Sequence, residues 1–335
     1  MLNRSIDNGE AEAARVSTSP AELAPVQPED LVRERVRRFM KLLPEVLSNE
    51  RVEAIHDIRV WSRRLQQVLV TMFPKGQENR AGSVVRSLRR ARRGLSGWRD
   101  CDVLIALVDR RLRRLREPDE QRAWRVVHDY LVKRREKEIR RARNKLANRK
   151  LFTLAQRTED LRKRQGLDSA SNADTAYADF IARVSEFIEA AYADWRAALA
   201  RASESGSQAD IHNFRIKTKQ LRYRMELARD LGDKELLLPL EWLKQLQDSL
   251  GQWHDRAELA RIATEAIANA DFLLNGPRPA SLLLKRLARE LSSEATKMKS
   301  LLTTIQGSGE LSQLEAWIAN RSSGVDSLFA NPPRP

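Results

Sequence analysis

The stretch AIHDIRVWSRRLQQVL, residues 54–69, decides the fold, because its apolar residues recur at helical spacing. At about 100° per residue these residues fall on one face of a helix. That face consists of Ile58, Leu65, Leu69 and, one turn further on, Met72. The opposite face carries His56, Arg59, Arg63 and Gln66. The sequence therefore predicts a helix with a buried apolar face and a basic face headed by a histidine.

A second stretch, DIHNFRIKTKQLRYRM at residues 210–225, repeats this arrangement. Its predicted buried face consists of Phe214, Leu221 and Met225. Its basic face consists of His212, Arg215, Lys219 and Arg222. Both histidines thus stand at the head of a basic stripe on the side away from the predicted core.

Two further pairs of segments extend the repeat. LSGWRDCDVL (95–104) aligns with LGQWHDRAEL (250–259), and LVKRREKEIRRARNKL (131–146) aligns with LLKRLARELSSEATKM (283–298). Together with the two stretches described first, they make three matched pairs. The pairs occur in the same order along the chain, and the two members of each pair are separated by a nearly constant number of residues, which indicates an internal duplication. We predict an all-α chain with about four helices in each half, since helix-forming residues dominate and no β-like alternation occurs.

The predicted organisation has a flexible N-terminal lead at residues 1–29. One repeat follows at residues 30–165 and the other at residues 176–305. A short C-terminal helix and a frayed tail complete the chain at residues 306–335. Helix breaks are expected where Gly, Pro and polar residues cluster, as in EPD (117–119), SESGSQ (203–208), LGDKE (231–235) and QGSG (306–309). Further breaks are expected at FPKGQ (73–77), QGLDSASNAD (165–174) and NGPRP (275–279).

The charge of the chain points to an anionic partner. Lys and Arg number 61 against 46 Asp and Glu, which gives a formal net charge of +15. Such an excess is typical of proteins that bind nucleic acid, acidic lipid or polyphosphate. Cys101 is the only cysteine, so an intrachain disulfide is excluded. No signal peptide and no membrane span are recognisable, and we expect a cytoplasmic protein.

The two H-x-x-R-[V/I]-x-x-[K/R] segments, at residues 56–63 and 212–219, resemble those of the CHAD family, the conserved histidine α-helical domain. The two L-[S/G]-x-W-x-D segments, at residues 95–100 and 250–255, support the resemblance, which covers roughly residues 30–305. The resemblance implies an all-α fold of two pseudo-symmetric four-helix bundles that face one another across a basic groove or pore. Many relatives carry a CYTH (triphosphate tunnel) domain in front; here we expect a stand-alone CHAD domain.

The resemblance also implies a function, the binding of inorganic polyphosphate and an association with polyphosphate granules. The binding residues that it implies in the first half are His56, Arg59 and Arg63, with Arg89, Arg93, Lys137 and Arg140 added from neighbouring helices. Those in the second half are His212, Arg215, Lys219 and Arg222, with Lys285 and Arg289. Arg93 corresponds to Asp248, and Arg140 to Ser292, so the second half is expected to be less basic.

Three alternatives remain open. The dipeptides His56-Asp57, His128-Asp129 and His254-Asp255 are compatible with a metal-dependent phosphohydrolase. The net charge would also permit nucleic-acid binding, and weak non-specific binding is expected in any case. The apolar faces of the segments at residues 177–199 and 311–318 would suit a scaffold for a partner protein, although packing explains them. We expect no enzyme activity, no cofactor and no metal.

Other residues receive structural interpretations. Asp100 and Asp255 are expected to act as helix caps or as ion-pair partners within the bundle. His128 and His254 are expected to be ordinary bundle residues. For His56 and His212 we expect protonation on polyanion binding, so that affinity weakens as the pH rises through 7.

Overall fold

The computed structural model describes residues 26–48, 51–73, 78–147, 149–164, 173–268 and 277–323. Within these ranges the chain is helical and has no strand, so the predicted all-α class is confirmed. The helices are α1 (Pro28–Ser48), α2 (Val52–Met72), α3 (Glu78–Gly94), α4 (Ser96–Leu112), α5 (Pro118–Leu146), α6 (Arg149–Phe152), α7 (Leu154–Arg164), α8 (Ala173–Ser205), α9 (Gln208–Asp230), α10 (Leu237–Ile267), α11 (Pro277–Gln306) and α12 (Gly309–Ser323).

Several helix ends coincide with the predicted breaks. Between α8 and α9 the chain turns at Gly206, whose φ of 60° favours glycine. Ser207 then caps α9, because its side-chain oxygen accepts a hydrogen bond from the Asp210 backbone N–H at 3.1 Å. After α9, Gly232 has a φ of 114° and Asp233 starts a short 3-10 helix. The breaks predicted at residues 73–77, 165–174 and 275–279 fall partly on residues that lie outside the described ranges.

The predicted apolar faces of α2 and α9 are buried. Ile58, Leu65 and Leu69 on α2 are no more than 1% exposed. Phe214 and Leu221 on α9 are fully buried. The basic faces are therefore directed away from the nearest core, as the helical periodicity predicted.

The hydrophobic core draws on both halves of the chain. The larger cluster of buried side chains includes residues of α1, α2, α8 and α9 together with the C-terminal half of α11. A smaller cluster joins α4, α5, α10 and α11. Each cluster contains residues from both predicted repeats, so the buried clusters do not separate the halves. The pseudo-symmetric repeat itself stays a prediction.

The two halves differ where α3 and α4 meet. The chain breaks between them at Leu95, whereas α10, at the corresponding position, runs as one helix from Leu237 to Ile267. This break was not predicted from the sequence, although Gly94, Ser96 and Gly97 form the kind of cluster that marked the other predicted breaks.

The C-terminal helix α12 is packed into the core. Leu311, Leu314 and Trp317 are buried in the larger cluster. Arg321 is buried as well and pairs with Asp233. No described helix is long and apolar enough to cross a membrane.

Candidate anion-binding site

The basic faces of α2 and α9 lie against one another. The guanidinium carbon of Arg63 lies 5.7 Å from the ring centroid of Tyr223, and that of Arg222 lies 4.9 Å from it. Glu226 connects the helices further along, because it accepts a hydrogen bond from Arg64 Nε at 3.1 Å and pairs with Arg222 at 3.0 Å. The two predicted stripes, which lie far apart in the sequence, therefore form one site.

We call this site the cation cluster. Each member either influences the pKa of another member through its charge, contacts Tyr223, or belongs to the pair of contacting rings of His212 and His254. The members come from α2, α3, α4, α9 and α10. They are His56, Arg59, Arg63, Arg92, Arg99, His212, Arg215, Lys219, Arg222 and His254.

Burial, and after it the repulsion between neighbouring cations, lowers the pKa values of several members of the cluster. Burial, and next the charges of Arg215, Arg63 and Arg59, lower the pKa of Lys219 to about 7. Burial and the neighbouring Arg63 lower the pKa of Arg59 to about 10. The pKa of Arg92 is also lowered to about 10, for the same reasons. The cations of the free site outnumber the carboxylates beside them, and an anion entering it would relieve the repulsion.

The histidines of the cluster favour their neutral forms in the free protein. Loss of hydration and the charge of Arg99 lower the pKa of His56. Loss of hydration and the charge of Arg215 lower that of His212. The His254 ring lies 5.2 Å from the His212 ring, and burial together with Arg215 lowers its pKa to about 4.

Two carboxylates, Asp100 on α4 and Asp255 on α10, lie beside the cations. Loss of hydration raises the pKa of each carboxylate, and neighbouring arginines oppose that shift. The main opposing charge is Arg59 for Asp100 and Arg215 for Asp255. The expectation of ion-pair partners agrees with these surroundings. Cap roles are not indicated, because Ser96 begins α4 and Asp255 lies in the interior of α10.

Equivalent hydrogen bonds occur in the two halves with the residue types exchanged. On the first side Arg92 Nη2 donates to Gln66 Oε1 at 3.0 Å. On the second side Arg222 Nε donates to Gln247 Oε1 at 3.1 Å. Gln66 and Arg222 occupy corresponding positions of the repeat, as do Arg92 and Gln247. Each half therefore fixes one arginine of the cluster with a glutamine.

Seven of the predicted binding residues lie in the cation cluster: His56, Arg59, Arg63, His212, Arg215, Lys219 and Arg222. Arg89 is exposed on α3 and close enough to lower the pKa of Arg92. The contacts that define the cluster involve none of the remaining five, which are exposed: Arg93, Lys137, Arg140, Lys285 and Arg289.

Lys137 lines a different cavity. This cavity, of about 510 Å³, runs along α5, where Lys133, Arg134 and Arg141 also line it. Lys137 thus lies among other basic side chains, but the surface that it lines depends on how α5 packs, which periodicity does not specify.

Sequence analysis missed Arg92, Arg99, His254 and Tyr223. The interpretation of His254 as an ordinary bundle residue was wrong, since its ring contacts His212 inside the cluster. Arg99 and His254 both directly follow the repeated tryptophan, Trp98 in one half and Trp253 in the other. That shared position was a signal that could have identified both residues.

Within the described part of the chain, no three His, Cys, Asp or Glu side chains lie close enough to hold a metal ion. The HD dipeptides therefore do not assemble a metal centre there. His128 instead lies 3.4 Å from Asp109 on α4.

Together these features define a class of protein: an all-α domain in which two basic helix faces meet to form a cation-rich site suited to anions. The sequence model of the family described as "CHAD domain" matches residues 30–264, and the chain belongs to this family. The crystal structure of the CHAD domain from the plant Ricinus communis has the same fold, with a TM-score of 0.53 and 16% identity, over 92% of this chain and 94% of that one. No curated protein matches the chain.

Proposed function

We propose that this protein binds inorganic polyphosphate at the cation cluster, without catalysing a reaction. The observation that carries the proposal is the excess of cations over carboxylates at the site, where burial and the charges of three neighbouring arginines lower the pKa of Lys219 to about 7. The association of CHAD domains with polyphosphate supports the same ligand. Binding to polyphosphate granules in the cytoplasm is part of the proposal.

The chemistry of the site suits a flexible phosphate polymer. Arginine binds phosphate oxygens through two parallel N–H donors, and lysine contributes a point charge. The members of the cluster lie on five helices, so a flexible polyphosphate chain can contact cations from several helices. Binding to single-stranded nucleic acid commonly uses exposed aromatic rings for base stacking. Trp98 and Trp253, the tryptophans nearest to the cluster in sequence, are buried in the core.

A competition titration tests the proposal. Long-chain polyphosphate is titrated into the protein at about 0.15 M salt, with double-stranded DNA and single-stranded RNA as competitors. We expect tight binding that survives competition and that weakens strongly in an Arg63→Ala, Arg215→Ala double variant. Equal affinity for the three polymers would instead indicate a generic basic surface and favour the nucleic-acid alternative.

The pH dependence of polyphosphate affinity follows from the free-state pKa values. Lys219, His56 and His212 have lowered pKa values, and a bound polyanion raises them, so binding takes up protons. Affinity should therefore fall as the pH rises, by roughly 25-fold between pH 6.5 and 8.5 if Lys219, whose pKa in the free protein is about 7, stays charged in the complex.

A Lys219→Arg variant is the matched control for this pH dependence. Its guanidinium stays charged over the whole range, so the dependence should become shallower above pH 7. The measurement is the dissociation constant at fixed ionic strength in steps of half a pH unit. An affinity that stays flat in the parent protein would contradict the assigned protonation.

A further inference from the structure

Arg59 occupies the break between α3 and α4. Its Nη1 donates hydrogen bonds to the Arg92 carbonyl oxygen at 2.8 Å and to Ser96 Oγ at 2.9 Å. Carbonyl groups in the last turn of a helix lack a partner within that helix. Arg59 supplies such a partner together with the Ser96 hydroxyl, which donates to the same carbonyl oxygen at 3.2 Å, and Arg59 thereby fastens the end of α3 to the start of α4. Part of its donor capacity is therefore already used inside the protein.

Arg215, at the corresponding position of the second half, has different surroundings. α10 continues without a break past the position that matches Ser96, where the chain has Gly251 instead. Neither the end-of-helix carbonyl nor the serine hydroxyl is present there to accept from Arg215. The Nε of Arg215 is buried and has no hydrogen-bond partner. A buried donor without a partner is costly, and a phosphate oxygen would relieve that cost.

We propose that these two arginines have different roles: Arg59 mainly stabilises the junction between α3 and α4, whereas Arg215 donates directly to phosphate oxygens. This inference rests on the proposed polyphosphate binding for its second part only. It reverses the expectation from charge counting, in which the less basic second half would contribute less to binding.

The neighbours of Arg215 agree with this assignment. Lys219 lies one turn further along α9, and burial together with the charges of Arg215, Arg63 and Arg59 lowers its pKa to about 7. Arg63 of α2 is close to both residues. These three side chains supply three cations around one buried, unpartnered N–H group. Arg92, in the first half, also has a buried Nη1 without a partner and provides a second donor for the same polymer.

Matched substitutions at the two equivalent positions test the division. Arg59→Met and Arg215→Met remove the same charge, so any difference between them reports on specific contacts. We expect Arg215→Met to weaken polyphosphate binding by about 10- to 50-fold, and its thermal midpoint to stay equal or rise. Arg59→Met should lower the midpoint by a few degrees and weaken binding by only about 2- to 4-fold.

Salt dependence provides a second readout. The slope of log affinity against log salt reports the number of ionic contacts with the polymer, and it should become shallower in Arg215→Met than in Arg59→Met. A Ser96→Ala variant keeps the charge and removes one partner of Arg59. It should lower the thermal midpoint and leave affinity unchanged, and it serves as the milder variant if Arg59→Met does not fold.

The outcomes separate the two proposals. If the unmodified protein binds polyphosphate and both methionine variants lose affinity equally with the same midpoint, the division of roles is wrong. If the unmodified protein does not bind polyphosphate, the proposed function is wrong, and the role of Arg215 with it. The junction role of Arg59 is decided in either case by the thermal midpoints without ligand.

Discussion

Reversing the charge of Arg63 should nearly abolish polyphosphate binding. Arg63 is the common neighbour in the cluster, because its charge lowers the pKa values of His56, Arg59, Arg92 and Lys219. Arg63→Glu removes a phosphate donor and places a carboxylate where the polymer would bind. A loss of about 2–4 kcal/mol, or roughly 30- to 1000-fold in affinity, is expected.

The same substitution should not destabilise the protein. The introduced glutamate would lie among cations that repel one another in the free protein, and its negative charge would reduce this repulsion. The thermal midpoint without ligand should therefore stay equal or rise. The measurement pairs a polyphosphate titration with thermal unfolding. Arg125→Glu, an equal change of charge at an exposed position on α5, is the control and should weaken binding less than threefold. Similar losses in both variants would show that net charge, rather than the cluster, determines binding.

Replacing Arg321 by alanine should cause the largest loss of stability among single ion-pair substitutions. Arg321 on α12 pairs with Asp233 at 2.6 Å, and its Nε donates to Ser185 Oγ at 2.9 Å. The Asp233 side chain is 1% exposed, so Arg321→Ala leaves a buried carboxylate without its counter-ion. Breaking a buried pair in this way costs about 3–5 kcal/mol.

Denaturant unfolding measures this effect as a change in the free energy of unfolding. Arg33→Ala is the matched control, because its pair with Asp30 on α1 is exposed and should contribute less than about 1 kcal/mol. The family match ends at residue 264, so the result also reports whether α12 belongs to the same folding unit. A loss in Arg321→Ala no greater than that in Arg33→Ala would mean that α12 contributes little to the fold.

The sequence alone was sufficient for the all-α class and for the buried faces of α2 and α9. Helical spacing placed Leu65 and Leu221 in the core and set the basic stripes opposite them, since side-chain direction along a helix is a local property. The repeat of the two stripes indicated that they act together. Seven residues of the cluster were predicted in this way, because they share faces with the two histidines.

Tertiary structure decided which basic residues meet. Arg92 joins the cluster while Arg93, its neighbour in the chain, is exposed, and His254 contacts His212 across two helices. Both outcomes depend on the rotation and crossing of packed helices, which arise from contacts distant in sequence. The different surroundings of Arg59 and Arg215 arise likewise from packing, because a helix breaks beside one and continues beside the other. The sequence by itself determined an all-α chain with two basic helix faces, and only the packed structure determined the site that those faces form.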